Sequence, residues 1–139
     1  MTTARDIMTT KVRCIPATET LDRAAQLMRE LDVGALPICT AEGKVTGILT
    51  DRDIVVKAIA AGHDPAEVTA GSLASGSAHV IDADADIAKA LATMKRHQIR
   101  RLPVMEGGKL AGMISEADIA RHLPSGEVHA FAEKVYAVS

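Results

Sequence analysis

Aromatic side chains are almost absent from this sequence of 139 residues, which contains no Trp, one Tyr (Tyr136) and one Phe (Phe131). Proteins that bind single-stranded nucleic acid usually stack the bases on such side chains. The formal net charge of −2 at pH 7 provides no positive field that would attract nucleic acid or an anionic membrane. We therefore expect neither as a partner, and any bound base must lie between aliphatic groups.

Long apolar runs and cysteine pairs are also missing. No stretch reaches the roughly eighteen apolar residues of a membrane span, and the N-terminal segment lacks the apolar core of a signal peptide. The sequence therefore predicts a cytoplasmic protein. The two cysteines, Cys14 and Cys39, are too few for a disulfide framework and lack the C-x-x-C spacing of a metal or redox site. Taken alone, each is expected to be a small buried residue.

Common catalytic and metal-binding motifs do not occur either. There is no GxSxG sequence, no P-loop and no convincing nucleophile beside a base, so we expect no enzyme activity. The five histidines are His63, His79, His97, His122 and His129. Because they form neither an HxH nor an HExxH pattern, we expect scattered surface residues and no metal site.

The sequence does contain an internal repeat. The stretch GILTDRDIV at 47–55 returns as GMISEADIA at 112–120. Upstream, Met28 pairs with Met94, and the Leu-Pro pair that begins at Leu36 pairs with the one that begins at Leu102. One residue is deleted in the turn before Gly43, which is a change that a loop tolerates. We infer a duplicated module with two copies in one chain.

Each copy has the pattern β-α-β-β-α after a short leading helix, predicted at about 3–8 and 66–74. Apolar residues at helical spacing follow PATET in the first copy and DADAD in the second, which predicts an amphipathic helix in each. We assign the first copy to 3–61, a linker to 62–68, the second copy to 69–124 and a tail helix to 125–139. A copy of about 65 residues buries too little surface to be stably folded alone, so we expect the two copies to pack sheet to sheet.

The polar turn has two interpretations. Thr50 with Asp53, and Ser115 with Asp118, fit a capping box at a helix start, and a stabilisation of about 1 kcal/mol is enough to explain each pair. A glycine three residues ahead of the hydroxyl in both copies, and the recurrence itself, favour a functional role as well. Free N–H groups suit an anion and a carboxylate suits vicinal hydroxyls, so together they fit a ribose phosphate.

With these elements in place, ALPICTAEGKVTGILTDRDIV and RLPVMEGGKLAGMISEADIA resemble cystathionine-β-synthase (CBS) domains, and their tandem resembles a Bateman module. The resemblance covers residues 3–124 and is strongest to the small stand-alone actinobacterial CBS pairs of the hypoxic response type. It implies an α/β (α+β) fold in which two β-α-β-β-α motifs pack with pseudo-twofold symmetry. It also implies a regulatory, non-catalytic protein connected with a stress response.

The resemblance further implies an adenosine-containing ligand (AMP, ADP, ATP or S-adenosylmethionine) in the clefts between the copies, and no required cofactor. The family's ribose-binding carboxylate falls on Asp53 and Asp118, and the adjacent hydroxyl falls on Thr50 and Ser115. The other wall is expected from the opposite copy: Arg13, Ile15, Val33 and Gly34 for the Asp118 cleft, and His79, Ile81, Ile99 and Arg100 for the Asp53 cleft.

A difference between the copies predicts unequal clefts. The family often contacts phosphate with a basic residue just before the Leu-Pro strand. That place holds Arg100 and Arg101 in the second copy but Gly34 and Ala35 in the first. We therefore expect the Ser115/Asp118 cleft to prefer a phosphorylated ligand. The alternative is that both arginines are solvated charges at a helix end.

The sequence also bears on a possible disulfide and on the oligomeric state. Cys14 and Cys39 lie in neighbouring segments of one copy and can form a disulfide if their Cα atoms come within about 7 Å, although a reducing cytosol disfavours it. Val128, Phe131, Ala132 and Val135 lie at helical spacing in the tail. With the resemblance, this amphipathic tail predicts a homodimer.

No effector domain accompanies the repeats, so the signal is expected to pass to a separate, unidentified protein. Two other function classes stay open. One is a ligand-free dimerisation or interaction protein in which the polar turns only cap helices. The other is a redox- or metal-responsive protein that uses the cysteines or the histidines.

Overall fold

The computed structural model describes residues 1–74 and 79–122. In chain order the elements are α1 (Ala4–Ile7), α2 (Leu21–Leu31), β1 (Ala35–Cys39), β2 (Val45–Thr50), α3 (Asp51–Asp53), a π-helical segment (Ile54–Ile59), α4 (Ala70–Leu73), β3 (Ile81–Asp82), α5 (Ile87–His97), β4 (Arg101–Glu106), β5 (Lys109–Ser115) and α6 (Glu116–Ala120). The mixture of helices and strands confirms the α+β fold class. The predicted order β-α-β-β-α is present from β3 to α6, whereas the first copy has only an isolated bridge at Ile15 where its first strand was predicted.

The chain forms two compact units that do not coincide with the sequence repeats. Unit A consists of Lys11–Ala78, and unit B consists of Met1–Thr10 together with His79–Ser139. The leading helix of the first repeat, α1, therefore belongs to unit B, and that of the second repeat, α4, belongs to unit A. The predicted boundaries at 3–61 and 69–124 follow the repeats and stay a prediction about the sequence.

Unit A is built on an antiparallel pair of strands. Strands β1 and β2 pair with Leu36 opposite Leu49, and Ile15 adds a parallel bridge to Ile38. The helix α2 buries Leu21, Ala24 and Met28 in the core of this unit. These are the apolar positions at helical spacing in the sequence, so the predicted amphipathic helix is confirmed.

Unit B repeats this plan with a three-stranded sheet. Strand β3 runs parallel to β4, with Ile81 opposite Val104, and β4 runs antiparallel to β5. The helix α5 buries Ile87, Ala90 and Met94. Both long helices end on a left-handed residue, Asp32 in unit A and Gln98 in unit B, which turns the chain into the next strand.

The leading segments pack against the glycines of the second hairpin strands. In unit B, Thr9 and Met113 exchange backbone hydrogen bonds of 2.9 and 3.0 Å, and a Cβ on Gly112 would lie 2.6 Å from the Thr9 carbonyl oxygen. In unit A, a Cβ on Gly47 would lie 3.1 Å from the Ala74 Cβ. Packing thus gives a structural reason for a glycine before each hydroxyl, most clearly at Gly112, beside the functional role that the sequence suggested.

Two local features differ from the sequence prediction, and a third prediction is not tested. The helix after β2 is α-helical only at α3 and continues with π-helical geometry, since Ala60 N donates to Val55 O at 2.8 Å. The sequence EADIARHL at 116–123 predicts the last helix of the second copy, but α6 ends at Ala120. The predicted tail helix at 125–139 lies outside the described residues. Among the helices of the described ranges, none has the length and apolar character needed to cross a membrane.

Candidate functional site

The first polar turn joins β2 to α3 in unit A. Asp53 N donates to Thr50 Oγ1 at 3.1 Å, and Thr50 N donates to Asp53 Oδ2 at 3.0 Å. This is the predicted capping box, which satisfies two backbone donors at the helix start. The other carboxylate oxygen, Asp53 Oδ1, lies 3.3 Å from Lys57 Nζ, one turn further along the helix.

The second polar turn joins β5 to α6 in unit B and has the same design. Asp118 N donates to Ser115 Oγ at 3.2 Å, and Ser115 N donates to Asp118 Oδ2 at 2.8 Å. The Ser115 hydroxyl also lies 3.0 Å from Oδ2. The remaining oxygen, Oδ1, forms an ion pair with Arg121. Asp118 is the only charged residue among the buried side chains of the described residues.

In both turns the two oxygens of the carboxylate therefore make different contacts. Oδ2 is fixed by the helix cap, while within the described residues Oδ1 is paired only with Lys57 in the first turn and only with Arg121 in the second. Those cations lie at the surface, since the Lys57 side chain is 46% exposed and that of Arg121 is 66% exposed. The carboxylates are much less exposed, at 21% for Asp53 and 11% for Asp118. Because the cations can move into solvent, a pair of ligand hydroxyls can take their place at Oδ1 without breaking the cap.

A third turn of this kind shows how little the pattern alone specifies. Thr3 and Asp6 form a capping box at α1, in which Thr3 N donates to Asp6 Oδ2 at 2.8 Å. The backbone N–H and the hydroxyl of Thr3 hold the pKa of Asp6 below its usual range. Because this turn does not follow a Leu-Pro hairpin, it separates the capping role of the motif from any role in binding.

The basic pair of the second copy lies directly beside its polar turn. Arg101 is the strand partner of Ser115, and Glu116 N donates to the Arg100 carbonyl oxygen at 2.8 Å. The equivalent contacts in unit A involve Ala35 with Thr50, and Asp51 N with Gly34 O at 3.0 Å. The structure thus brings cationic side chains to one turn and none to the corresponding place at the other.

The remaining predicted site residues are distributed over the two compact units. Ile15 and Ile81 are buried beside the central strands. Val33 and Ile99 are half-buried, and each follows the left-handed residue that ends the long helix of its unit. Each of the residues Arg13, Ile15, Val33, Gly34, His79, Ile81, Ile99 and Arg100 belongs to the unit that does not contain the aspartate to which it was assigned. Their role as the opposite wall of a cleft stays a prediction.

Cys14 and Cys39 form a disulfide, with their Cα atoms 5.6 Å apart. The bridge connects the extended segment before α2 to the end of β1, two segments that also share the hydrogen bond from Cys39 N to Ile15 O at 2.9 Å. Both cysteines are therefore oxidised. The sequence placed them in neighbouring segments but left the bridge open.

Two of the histidines meet, which the sequence did not predict. The rings of His79 and His97 stack with centroids 3.6 Å apart and planes inclined by 17°. Partial burial, together with the neighbouring His79 and Arg96 charges, lowers the pKa of His97. The expectation of scattered histidines is wrong for this pair. The connection from β3 to α5 brings the end of the helix back beside the start of the strand. The predicted β-α order could therefore have indicated that His79 and His97 lie close together.

The described part of the chain contains no group of three or more His, Cys, Asp or Glu side chains suited to a metal ion. The stacked histidines supply two nitrogen donors in one place, and the bridged cysteines supply no thiolate. Since a structural zinc site normally uses four ligands, these residues fit half of such a site.

Comparison with known proteins identifies the family. The CBS domain model matches residues 4–59 and 70–125, which is most of the chain. The chain belongs to the CBS-domain family. It is 53% identical over 138 residues to Hypoxic response protein 1 of Mycobacterium tuberculosis, a match that covers 99% of this chain and 94% of that protein. The resemblance to a tandem CBS protein of the hypoxic response type is thereby confirmed.

Solved structures give the same fold. A crystal structure of Hypoxic Response Protein I with two coordinated zinc ions is 54% identical, with a TM-score of 0.76, and the match covers 88% of this chain and 100% of that one. The CBS domain pair of MJ0100, in complex with 5′-methylthioadenosine and S-adenosyl-L-methionine, is 23% identical with a TM-score of 0.77. That match covers 88% of this chain and 95% of the other, and at this identity it shows the fold alone.

Proposed function

We propose that this tandem CBS protein is a non-catalytic regulatory module that binds an adenosine-containing ligand and signals to a separate protein. AMP, ADP, ATP and S-adenosylmethionine are the candidate ligands. The observation that supports the proposal most directly is the difference between the two carboxylate oxygens of Asp53 and Asp118. One oxygen caps a helix, and among the described residues the other contacts only a surface cation. The adenosyl ligands of the MJ0100 pair, which has this fold, support the choice of ligand class.

The chemistry of a ribose suits this arrangement. Its vicinal hydroxyls donate hydrogen bonds to a carboxylate, and hydrogen bonds to a charged acceptor contribute about 1.5–3 kcal/mol each. Asp53 and Asp118 are already oriented by their caps, so little side-chain freedom is lost on binding. Arg121 and Lys57, once displaced from Oδ1, are long enough to turn towards a ligand phosphate on the same side of the helix.

The second turn is the better site for a phosphorylated ligand, because Arg101 lies opposite Ser115 on the neighbouring strand. An arginine can contact a phosphate through two parallel N–H donors. The corresponding position in unit A, opposite Thr50, is Ala35. The alanine side chain has no hydrogen-bond donor. The two sites are therefore expected to differ in affinity for AMP or ATP but less for an uncharged adenosine.

A thermal-shift screen with AMP, ADP, ATP and S-adenosylmethionine tests this proposal. A ligand that binds only the folded state must raise the Tm. We expect Arg101→Ala to reduce the shift given by ATP but not that given by adenosine. Arg96→Ala, an exposed arginine of the same unit, is the matched control and should change neither. If no ligand raises the Tm, the protein is a ligand-free interaction module and the turns serve only as caps.

Zinc binding is a second candidate, favoured by the stacked pair His79 and His97 and by the two zinc ions in the 54% identical structure. Imidazole nitrogen is a common zinc ligand, and the stack brings two imidazoles together. Their lone pairs lie in nearly parallel planes, so one ring must rotate before both nitrogens can bind the same ion, with the other ligands supplied from elsewhere.

Equilibrium dialysis with metal analysis tests the zinc candidate without any activity assay. We expect the wild-type protein to retain zinc and His97→Gln to lose it, while His63→Gln, which changes an exposed histidine of unit A, retains it. Equal zinc content in all three proteins would remove the His79/His97 pair as the site.

We also propose that the module is a homodimer, with a second copy covering the exposed apolar face of the π-helical segment. Val55, Val56 and Ile59 are 57%, 47% and 52% exposed and lie within five residues of each other. Such clustering of large apolar side chains at a surface is typical of an interface. Light scattering should report a dimer for the wild type and a monomer for Ile59→Asp. Val80→Asp, at a similarly exposed position of unit B, should remain dimeric.

A further inference from the structure

A surface pocket of about 220 Å³ opens beside the disulfide in unit A. Its walls are the extended segment 13–16, Glu19 and one face of α2, where positions 23, 26, 27 and 30 follow each other at helical spacing. All of these residues precede β1 in the chain. The lining thus includes no residue of either polar turn, although Arg13 and Ile15 are also among the residues predicted for the Asp118 cleft.

The two cysteines of the bridge differ in their access to this pocket. Cys14 lines it and is half-buried, whereas Cys39 lies on the buried strand β1, is 8% exposed and does not line it. Thiol–disulfide exchange requires the incoming thiolate to reach a sulfur atom. A small thiol in the pocket therefore meets Cys14, and Cys39 is the leaving group.

Charges of both signs surround Cys14. Arg13 and Arg23 contribute guanidinium groups to the wall, and Glu19 and Glu30 contribute carboxylates. One oxygen of Glu19 already accepts a hydrogen bond from Thr20 N at 3.2 Å. Glu30 makes no such contact with the described residues, so both of its carboxylate oxygens are open to a ligand. A ligand that carries a carboxylate and an ammonium group is complementary to such a wall.

We propose that this pocket is a site of S-thiolation, at which a small cysteine-derived thiol bearing carboxylate and ammonium groups attacks Cys14. The thiolate of the ligand forms a bond to Cys14 Sγ as the bond between Cys14 and Cys39 breaks. The electron pair of the broken bond leaves on Cys39 Sγ, which takes a proton from water. The products are a mixed disulfide on Cys14 and a free thiol on Cys39, and no other oxidant or reductant is needed.

Mass spectrometry after brief reaction with glutathione tests the proposal. The reaction is stopped with acid, free thiols are alkylated and the protein is digested with trypsin. Cleavage after Arg13, Arg23, Arg29 and Lys44 places the two cysteines in separate peptides, CIPATETLDR and ELDVGALPICTAEGK. We expect glutathione on the first peptide and the alkylating agent on the second.

The charged wall is tested by comparing glutathione with the uncharged thiol 2-mercaptoethanol, each rate being corrected for its thiolate fraction and nucleophilicity. Arg13→Ala and Arg23→Ala should each slow glutathione by roughly threefold, the size of one exposed ion pair, and leave 2-mercaptoethanol unchanged. Arg29→Ala is the matched control, because Arg29 is an exposed arginine of the same helix outside the pocket.

Circular dichroism and the Tm establish that each variant is folded, and the exposure of both arginines makes this the expected result. The proposal is overturned if the adduct forms on Cys39 or does not form. It is also overturned if glutathione reacts no faster than 2-mercaptoethanol, or if its advantage persists in the double variant of Arg13 and Arg23.

Discussion

At the scale of single residues, each polar turn combines a helix cap with a second carboxylate oxygen that the cap does not use. Asp53, Asp118 and Asp6 all accept a hydrogen bond from the backbone three residues earlier. Only the first two follow the second strand of a hairpin. The residue type and its spacing therefore specify the cap, whereas the position in the fold distinguishes a candidate ligand site from a purely structural turn.

The cap at α1 predicts a specific pH dependence. The pKa of Asp6 is lowered in the folded protein by the backbone N–H and the hydroxyl of Thr3, whereas in the unfolded chain it is near the ordinary value of about 3.9. The unfolded state then binds the proton more readily, so the stabilisation is complete above the unfolded pKa and is lost as the pH falls through the folded pKa.

Urea unfolding from pH 7 to pH 3 measures this effect. We expect Asp6→Asn to be less stable than the wild type at neutral pH. The difference between the two should begin to shrink below about pH 4, where the carboxyl of the unfolded wild type becomes protonated, and should continue to shrink towards the lower pKa of the folded state. A difference that stays constant across this range would show that charge on Asp6 does not contribute to the cap.

At the scale of secondary-structure elements, the exchange of leading helices between the repeats is the main feature that the sequence did not show. Ala4 N and Arg5 N donate to the carbonyl oxygens of Ala85 and Ala83 at 2.9 Å, and Arg5 forms ion pairs with Asp84 and Glu106 at 2.7 and 2.8 Å. These partners are distant in sequence. Periodicity can predict a short helix at α1, but it cannot tell which strands that helix will join.

Gly112 allows this exchange and can be tested directly. A Cβ at this position would lie 2.6 Å from Thr9 O and 2.7 Å from Met8 Sδ, so Gly112→Ala should push the leading segment away from β5. We expect a loss of roughly 1–3 kcal/mol in the free energy of unfolding, the usual cost of overpacking. Gly47→Ala is the control, because its Cβ meets Ala74 at the milder distance of 3.1 Å; equal losses in denaturant unfolding would contradict this account.

The sequence predicted local structure well and long-range pairing poorly. The buried positions of α2 and α5, the two hairpins and both capping boxes follow from patterns within about ten residues, and all are confirmed. The stacked histidines and the disulfide depend on how distant segments return to each other. The glycine before each hydroxyl was interpreted as favouring a functional role, because its packing partner is remote in sequence and could not be predicted.

At the scale of the whole molecule, duplication gives two polar turns of the same design in different surroundings. The turn in unit B has Arg101 beside it, and the turn in unit A has Ala35. Under the proposed function, each site is expected to have its own affinity, and the protein is then expected to respond to more than one ligand or concentration. This inequality between equivalent sites is what a single CBS motif could not provide.

Isothermal titration calorimetry of the wild type and three aspartate variants with AMP, ATP and S-adenosylmethionine tests the central claim most directly. We predict binding by the wild type, and a loss of about tenfold or more in affinity at one site in each of Asp53→Asn and Asp118→Asn, since each removes a charged acceptor. Asp6→Asn, which alters the same kind of cap without a ligand role, should bind as the wild type does. The claim is contradicted if no ligand binds to the wild type, or if Asp53→Asn and Asp118→Asn bind no more weakly than Asp6→Asn.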